Sequence, residues 1–325
     1  MRWSYSLQHA LELCGRRVAF SHVVASHNAR DPERREAYLL RQIQSIPAWQ
    51  GSLVHDVVAV QVRDALRWNR PIDPVALSAL VYARATRQWA FSRARRYRLP
   101  GQSKAAAGDD YAALDVHERG DDREDDVVAA VVAVALHCFT NLAEQENLLA
   151  LLRANDTLVS EVRLSLSVEG VLVAATPDLV AMRNGVVTIV DWKVSVHEES
   201  RHARQLELYA YLALQSGRWP LRSPHDILLF EVNLWRDHVY AHAFDEDAMI
   251  RTGDAVARGV AMLRTVLGDG VYAHLRLDKL PIAARPEACG HCAFASLCLA
   301  HLDEDGRAGD AALVRARLTL DPTAA

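Results

Sequence analysis

The sequence predicts a mixed α/β fold: an αβββαβ core preceded by a helical N-terminal elaboration. Three observations predict it. Apolar residues recur at helical spacing as far as about residue 153 and then at alternate positions from Leu158 to Val168, a change of period from helix to strand. Asn184-Gly185, whose residues both tolerate positive φ, is a two-residue hairpin signal between two such strands. The segment from Glu198 to Gln215 returns to helical spacing before another strand begins at Ile227.

Taken in order, Ser4 or Ser6 caps a first helix through Arg17, with Cys14 near its end. A second helix runs from about Trp49 to Trp68 on an apolar face of Leu53, Val54, Val57, Val58 and Leu66, and it carries His55. A third, Val75 to Arg98, interleaves Arg84, Arg87 and Arg93 with Trp89, Phe91 and Tyr97. That pattern reads either as a surface for phosphates and stacked bases or as a solvated helix with a buried aromatic side. Gly101 to Asp126 is acidic and poor in apolar residues, with Asp121, Asp122, Glu124, Asp125 and Asp126 together, and is expected to be a mobile loop or linker. A helix from Val127 to Arg153 follows, its Cys138 set among apolar neighbours as a core thiol. Strands are expected at 158–168, 171–182 and 186–194, joined by Glu169-Gly170 and Asn184-Gly185. The helix 198–215, strands 227–234 and 239–244 and a helix 247–267 complete the core, and the charged stretch after Asp303 is expected to fray. The implied segments are 1–155 (helical), 156–270 (core), 271–302 (cysteine segment) and 303–325 (flexible tail).

With 325 residues, half of them hydrophobic, the chain can bury a sizeable core. Lys and Arg total 37 against 41 Asp and Glu, a net charge of −4, so a nucleic-acid partner would have to meet a locally basic surface. No run of about 18 apolar residues is read as a membrane span, and Gln8, His9, Glu12 and Arg16 interrupt any signal-peptide core, so a cytoplasmic protein without a membrane partner is expected. Five cysteines, three of them close together near the C-terminus, read as metal ligation in a reducing compartment.

Three residues carry the chemistry. Asp178 follows Pro177 on the second strand, whereas Asp191 and Lys193, two apart on the third, project from one face. The Asn184-Gly185 hairpin brings Asp178 and Asp191, nearly equidistant from the turn, within reach of one cation. Facing carboxylates repel unless a divalent ion neutralises them, and hard oxygen donors suit Mg²⁺ or Mn²⁺. Lys193 beside them can stabilise an attacking hydroxide or charge on a phosphate. A single Asp or Lys on a strand is ordinarily just a solvent-facing residue. The order Pro-Asp, hairpin, Asp-x-Lys, amphipathic helix is what points to a site.

Thr176-Pro177-Asp178 followed by Asp191-Trp192-Lys193 resembles the PD-(D/E)xK nucleases, and Gln205 with Tyr209 resembles the Gln-x-x-x-Tyr motif of their RecB-like branch. Gly51-Ser52-Leu53-Val54-His55 is similar to the family's Gly-x-x-x-His segment. The resemblance implies a restriction-endonuclease-like core in which His55, Asp178 and Asp191 bind Mg²⁺ or Mn²⁺, Lys193 assists, and Gln205 and Tyr209 orient the substrate or the water. Glu161, on the strand before the Pro-Asp, has either a supporting role or a plain salt bridge. The implied activity is hydrolysis of DNA from an end, on single-stranded or unwinding duplex, in CRISPR adaptation, antiviral defence or DNA repair. A separate helicase or CRISPR adaptation proteins would be partners, since the chain has no phosphate-binding loop of the helicase type. The competing reading is a catalytically silent DNA-binding or scaffold subunit. Oligomeric state is not encoded in any motif.

Cys289-x₂-Cys292-x₅-Cys298 needs a fourth thiolate, which Cys14 can supply. One N-terminal and three C-terminal cysteines is the arrangement of iron–sulfur nucleases of the CRISPR spacer-acquisition type and of AddB-like helicase–nucleases. That resemblance implies a [4Fe–4S] cluster clamping the chain ends, although four thiolates accept Zn²⁺ equally. His291 lies inside the Cys-x-x-Cys turn, where an outward, exposed ring is expected.

Overall fold

The computed structural model describes residues 1–120, 126–196, 202–285 and 287–318. Strand β1 (Arg2–Trp3) opens the chain, followed by helices α1 (Tyr5–Leu13), α2 (Gly15–Ala19), α3 (Pro32–Leu40), α4 (Ile46–Val57), α5 (Arg63–Arg67) and α6 (Pro74–Arg93). Next come α7 (Lys104–Ala107), α8 (Asp115–Arg119), α9 (Asp126–Glu144) and α10 (Glu146–Arg153). The β-rich segment holds β2 (Thr157–Ser160), β3 (Leu164–Val168), β4 (Val171–Ala175), β5 (Leu179–Arg183) and β6 (Val186–Lys193). Then follow α11 (Ala203–Gln215), β7 (Ile227–Asn233), β8 (His238–His242), α12 (Glu246–Leu267), α13 (Glu287–Gly290), α14 (Ala295–Glu304) and α15 (Ala308–Leu318). By packing, the residues group into two compact units: 1–43 with 168–172 and 257–325, and 44–167 with 173–256.

The second unit is built on a five-stranded sheet in the order β2-β5-β6-β7-β8. β5 pairs antiparallel with β2 on one side and β6 on the other, β6 and β7 are parallel, and β8 returns antiparallel to β7. A parallel pair needs a crossover, and α11 provides it. The β5–β6 hairpin closes on Asn184 and Gly185 at φ 51° and 80°, the left-handed pair that matches the twist of the strands. Val190 and Trp192 of β6 join α4, α6 and α9 in one apolar core around Trp49, Leu53, Val81 and Phe139. In the first unit, Phe20 stacks on Phe294 with ring centroids 5.8 Å apart, and Leu302, Ala311 and Val314 form a smaller cluster.

Several expectations are corrected. The two long strands expected at 158–168 and 171–182 are each split, the first at Glu161, whose φ is 52°, and the second at 176–178. Helix 4–17 breaks at Cys14, whose backbone is extended. The helix expected over 49–68 is continuous but widens into a π turn at Val58–Val62.

The acidic stretch is not a free loop over its described part. Asp109 and Asp110 pair with Arg84 and Arg87 of α6 at 2.8 and 2.6 Å, and Glu118 pairs with Arg98. Asp121, Asp122, Glu124 and Asp125 lie outside the described residues. Trp89, Phe91 and Tyr97 are buried, so the reading of this helix as a base-stacking surface fails. Apolar area is worth more inside than offered to a partner, and the guanidinium groups find carboxylates in their own chain.

The described part of the stretch after Asp303, expected to fray, holds α15, which buries Ala311 and Val314, and 319–325 lie outside the described residues. α9 is one helix long and apolar enough by composition to cross a bilayer, with mean hydropathy 1.8, contrary to the expectation that no such run exists. Its Val131, Ala135, Phe139 and Leu142 lie in the core. Cys138 is fully buried there and its thiol is pushed up to about 12 by that burial, as expected of a core thiol.

Candidate active site

The hairpin register sets the geometry. Leu179 pairs with Val190 across β5 and β6, so Asp178, one residue before β5, comes opposite Asp191. Asp178 Oδ2 accepts the Trp192 backbone N–H at 2.7 Å, and its Oδ1 lies 3.4 Å from His55 Nδ1. His55 arrives from the last turn of α4, which begins at a Ser45 cap and carries Pro47 in its first turn. Asp191 is 1% exposed, which is unusual for a charge unless it is paired. Lys193, on the same face of β6, holds its Nζ 2.7 Å from Asp191 Oδ2.

Burial leaves that oxygen no other protein partner, so the Lys193 ammonium is what faces it. Lys193 also donates to Gln205 Oε1 at 3.2 Å. Gln205 in turn donates to the Tyr209 hydroxyl, which donates to Asp191 Oδ1 at 3.3 Å. Four-residue spacing puts Gln205 and Tyr209 on one face of α11 over the carboxylate. The six residues His55, Asp178, Asp191, Lys193, Gln205 and Tyr209 are therefore brought together.

Electrostatics follow from that packing. Burial raises the Asp191 carboxyl pKa, Lys193 opposes the rise, and the nearby Asp178 charge adds to it. Burial pulls His55 down, yet its hydrogen bond to Asp178 and the charges of Asp178 and Asp191 outweigh that, so its pKa is raised. Burial, then the Asp191 and Asp178 charges, push the Tyr209 phenol upward, so it stays a donor. His55 nitrogen and the two aspartate carboxylates form a donor set of the hard type that Mg²⁺ or Mn²⁺ accepts. Among the described residues, no group of three or more His, Cys, Asp or Glu stands as a preformed metal cage. In donor type, and in the repulsion between the adjoining Asp178 and Asp191 charges, the residues fit a divalent ion.

Glu161 is tied to the site through the backbone: its N–H donates to the Asp178 carbonyl at 3.1 Å. Its side chain is exposed and, among the described residues, has no ion pair. Sequence reasoning missed Glu231. Parallel register pairs it with Asp191, which puts both on the same side of the sheet. It is 2% exposed, with His202 Nδ1 at 2.9 Å and His242 Nε2 at 3.4 Å. The available signal was a lone acid between Phe230 and Val232 in an apolar strand.

The other constellation lies in the first unit. Cys14, Cys289, Cys292 and Cys298 line one small cavity of about 20 Å³ with Arg16, Phe20 and Phe294. Arg16 is buried, and its Nε donates to Cys298 Sγ at 3.2 Å. Burial raises the Cys289, Cys292 and Cys298 thiols, Cys292 to about 11. All four are free thiols. The four thus share one cavity, with a guanidinium beside them, but among the described residues they do not stand as a preformed metal site. His291 is exposed beside them, as expected.

Residues 2–299 match the model of the PD-(D/E)XK nuclease superfamily. No curated protein matches the chain. Among solved structures, the chain is similar to "SSO0001" at 16% identity over 53% of this chain and 73% of that one, with a TM-score of 0.29. It is also similar to a "Putative exonuclease" from Eubacterium rectale at 11% identity over 80% and 96% of the two chains, with a TM-score of 0.33. Neither likeness is close enough to inform the site.

Proposed function

The chain belongs to the PD-(D/E)XK nuclease superfamily, and from that premise we propose that it is a divalent-metal-dependent deoxyribonuclease acting on single strands or DNA ends. The supporting observation is the pair of aspartates brought opposite each other across the Asn184-Gly185 turn, one of them almost wholly buried. Two adjoining carboxylates repel, and a divalent cation between them would remove that repulsion. His55, Asp178 and Asp191 would hold Mg²⁺ or Mn²⁺, which supplies charge neutralisation and acidifies water.

The chain's own groups do the rest. Lys193, 2.7 Å from Asp191 and only partly exposed, offers a fixed positive charge to a substrate phosphate oxygen. Gln205 holds that ammonium in place while passing a hydrogen bond to Tyr209. Tyr209 keeps its proton and fixes the Asp191 carboxylate, leaving Oδ2 directed away from it. A Cβ at Gly51, one turn before His55 on α4, would meet nothing within 4 Å, so the protein itself has no packing need for glycine there. Glycine inside a helix costs about 1 kcal/mol relative to alanine, and an approaching substrate backbone would account for it.

Asp178→Asn and Asp191→Asn, checked for fold by circular dichroism, are expected to release no nucleotides from end-labelled single-stranded DNA with Mn²⁺. Full activity in either would refute the proposal. A wild-type protein that binds DNA but digests none of it with any divalent ion would be the silent scaffold instead.

For the thiol cavity, the reading is a structural [4Fe–4S] cluster on Cys14, Cys289, Cys292 and Cys298, with Zn²⁺ as the alternative. What supports it is Cys14 lining one cavity with three cysteines that begin 275 residues later in the chain, with Arg16 on Cys298 to favour the thiolate. Anaerobic purification with iron, sulfide and zinc analysis separates the two.

A further inference from the structure

The first unit contains a second cavity of about 250 Å³ next to the thiol cavity, with which it shares Arg17 and Phe294 as lining. Its polar lining is Ser4, Ser6, Arg17, Ser21, His22 and Arg41, and no Asp or Glu is among the lining residues. That contrasts with Arg84 and Arg87 of α6 and Arg98 after it, each of which carries a carboxylate. Arg17 and Arg41 have no carboxylate partner among the described residues. Arg41 Nη1 donates to the Ser21 carbonyl at 3.0 Å and its guanidinium lies 5.4 Å from the Tyr38 ring centroid, which orients the group and leaves donors on the fork unused.

Ser4 caps the nine-residue helix α1, accepting the Leu7 N–H at 3.3 Å, and its hydroxyl lies 3.1 Å from that of Ser6. The positive end of α1 thus opens on the cavity beside two hydroxyls. The local field is positive: the His22 pKa is lowered first by packing around its ring and then by the charges of Arg41 and Arg2. The remaining wall is apolar, made by Leu7, Ala10, Leu40, Ile43 and Phe294.

We propose that this cavity is a recognition pocket for a phosphomonoester carrying an organic body: a nucleotide or the phosphorylated end of a nucleic-acid strand. Two forked guanidinium groups with hydroxyl and helix-end donors suit the three oxygens and double charge of a phosphomonoester. A bare ion would fill only a fraction of about 250 Å³, a volume just under the lower end of small-molecule pockets, about 300 Å³. The apolar wall is where a sugar and base would lie. The pocket is separate from the nuclease reading and does not depend on it.

Calorimetric titration of the full chain in EDTA tests it, because binding is then read without turnover. The ligands are a nucleoside 5′-monophosphate, its nucleoside, inorganic phosphate, and a short single strand with either a 5′-phosphate or a 5′-hydroxyl. Phosphorylated ligands are expected to bind at least about tenfold tighter than their dephosphorylated forms, a factor worth 1.4 kcal/mol. Binding of the mononucleotide identifies a free nucleotide as ligand; binding of the phosphorylated strand alone identifies a strand end. Arg41→Glu is expected to lose at least about tenfold, Arg41→Lys to keep part of the affinity, and Asp191→Asn to keep all of it. Affinity indifferent to the 5′-phosphate, inorganic phosphate binding as tightly as the organic ligands, or an unchanged Arg41→Glu would overturn the proposal. Since the comparison of phosphorylated with dephosphorylated ligand needs no variant, it decides the matter even if Arg41→Glu fails to fold.

Discussion

Lys193→Met in metal-free protein isolates the energetics of the buried carboxylate. Charges 2.7 Å apart at an effective dielectric of 20 attract by about 6 kcal/mol before desolvation is counted. Deleting the cation leaves Asp191 charged and almost wholly enclosed, and breaking one side of a buried pair typically costs about 3–5 kcal/mol. The carboxylate has an escape, since it can bind a proton. Keeping it protonated at pH 7 against an unfolded pKa of about 3.9 costs roughly 4 kcal/mol, and that limit shrinks by about 1.4 kcal/mol per pH unit as the pH falls. The sign follows: a carboxyl whose folded pKa is raised favours the native state at low pH and loses that advantage as pH rises. Lys193→Met should therefore lose about 3–4 kcal/mol relative to the wild type at pH 7 but only about 1.5 kcal/mol at pH 5. Asp191→Asn/Lys193→Met should recover most of the loss and show no such pH dependence. Urea unfolding followed by circular dichroism, in EDTA, measures all three. A Lys193→Met deficit equal at both pH values, or a double variant no better than the single, would refute the reasoning.

Three further outcomes are expected. Because Asp178 and Asp191 hold the His55 pKa above its ordinary value, and a protonated imidazole cannot ligate, nuclease activity at limiting Mn²⁺ should rise with pH through a midpoint above about 6.5. That midpoint should move down as Mn²⁺ is raised; one that ignores metal concentration would exclude His55 as a ligand. Gly51→Ala should stabilise the fold by about 0.5–1 kcal/mol in a thermal melt while raising KM for single-stranded DNA, and an unchanged KM would mean that nothing approaches that open face. Cys14→Ser should abolish any absorbance near 400 nm in anaerobically purified protein, whereas Cys138→Ser, a core thiol, should leave the spectrum unchanged.

The parts of the fold that were legible in the sequence are those set by local rules. Asn184-Gly185 reads as a turn because few other pairs tolerate two positive φ values in succession, and the β5–β6 register follows from it. Asp191 and Lys193 read as one face because the strand period is two. What could not be read depends on partners distant in the chain. The alternation of Leu158 to Val168 gives no sign that Glu161 turns the strand, because only pairing of β2 with β5 and the Glu161–Asp178 backbone bond impose the break. Arg84 and Arg87 of α6, and Arg98 after it, look available until Asp109, Asp110 and Glu118 fold back on them. Glu231 stays an ordinary strand residue until parallel register sets it beside Asp191.

The break at Thr176-Pro177-Asp178 determines what Asp178 can do. Pro177 has no N–H to give a ladder, so a single strand through 171–182 would carry a gap in its hydrogen bonding. The chain instead ends β4 at Ala175 and starts β5 at Leu179. The antiparallel ladder with β6 therefore stops at Leu179↔Val190, and the Trp192 N–H beyond it is taken by the Asp178 side chain at 2.7 Å. One carboxylate oxygen thus finishes the sheet while the other faces His55. The two roles separate by substitution. Asp178→Asn keeps a carbonyl oxygen for Trp192 but no negative charge for a cation, so it should fold nearly normally and bind Mn²⁺ weakly. Asp178→Ala also orphans a buried N–H, a loss of about 1–3 kcal/mol. Calorimetric metal titration and urea unfolding of both variants check this, and equal stability of the two would show that the Trp192 bond contributes nothing.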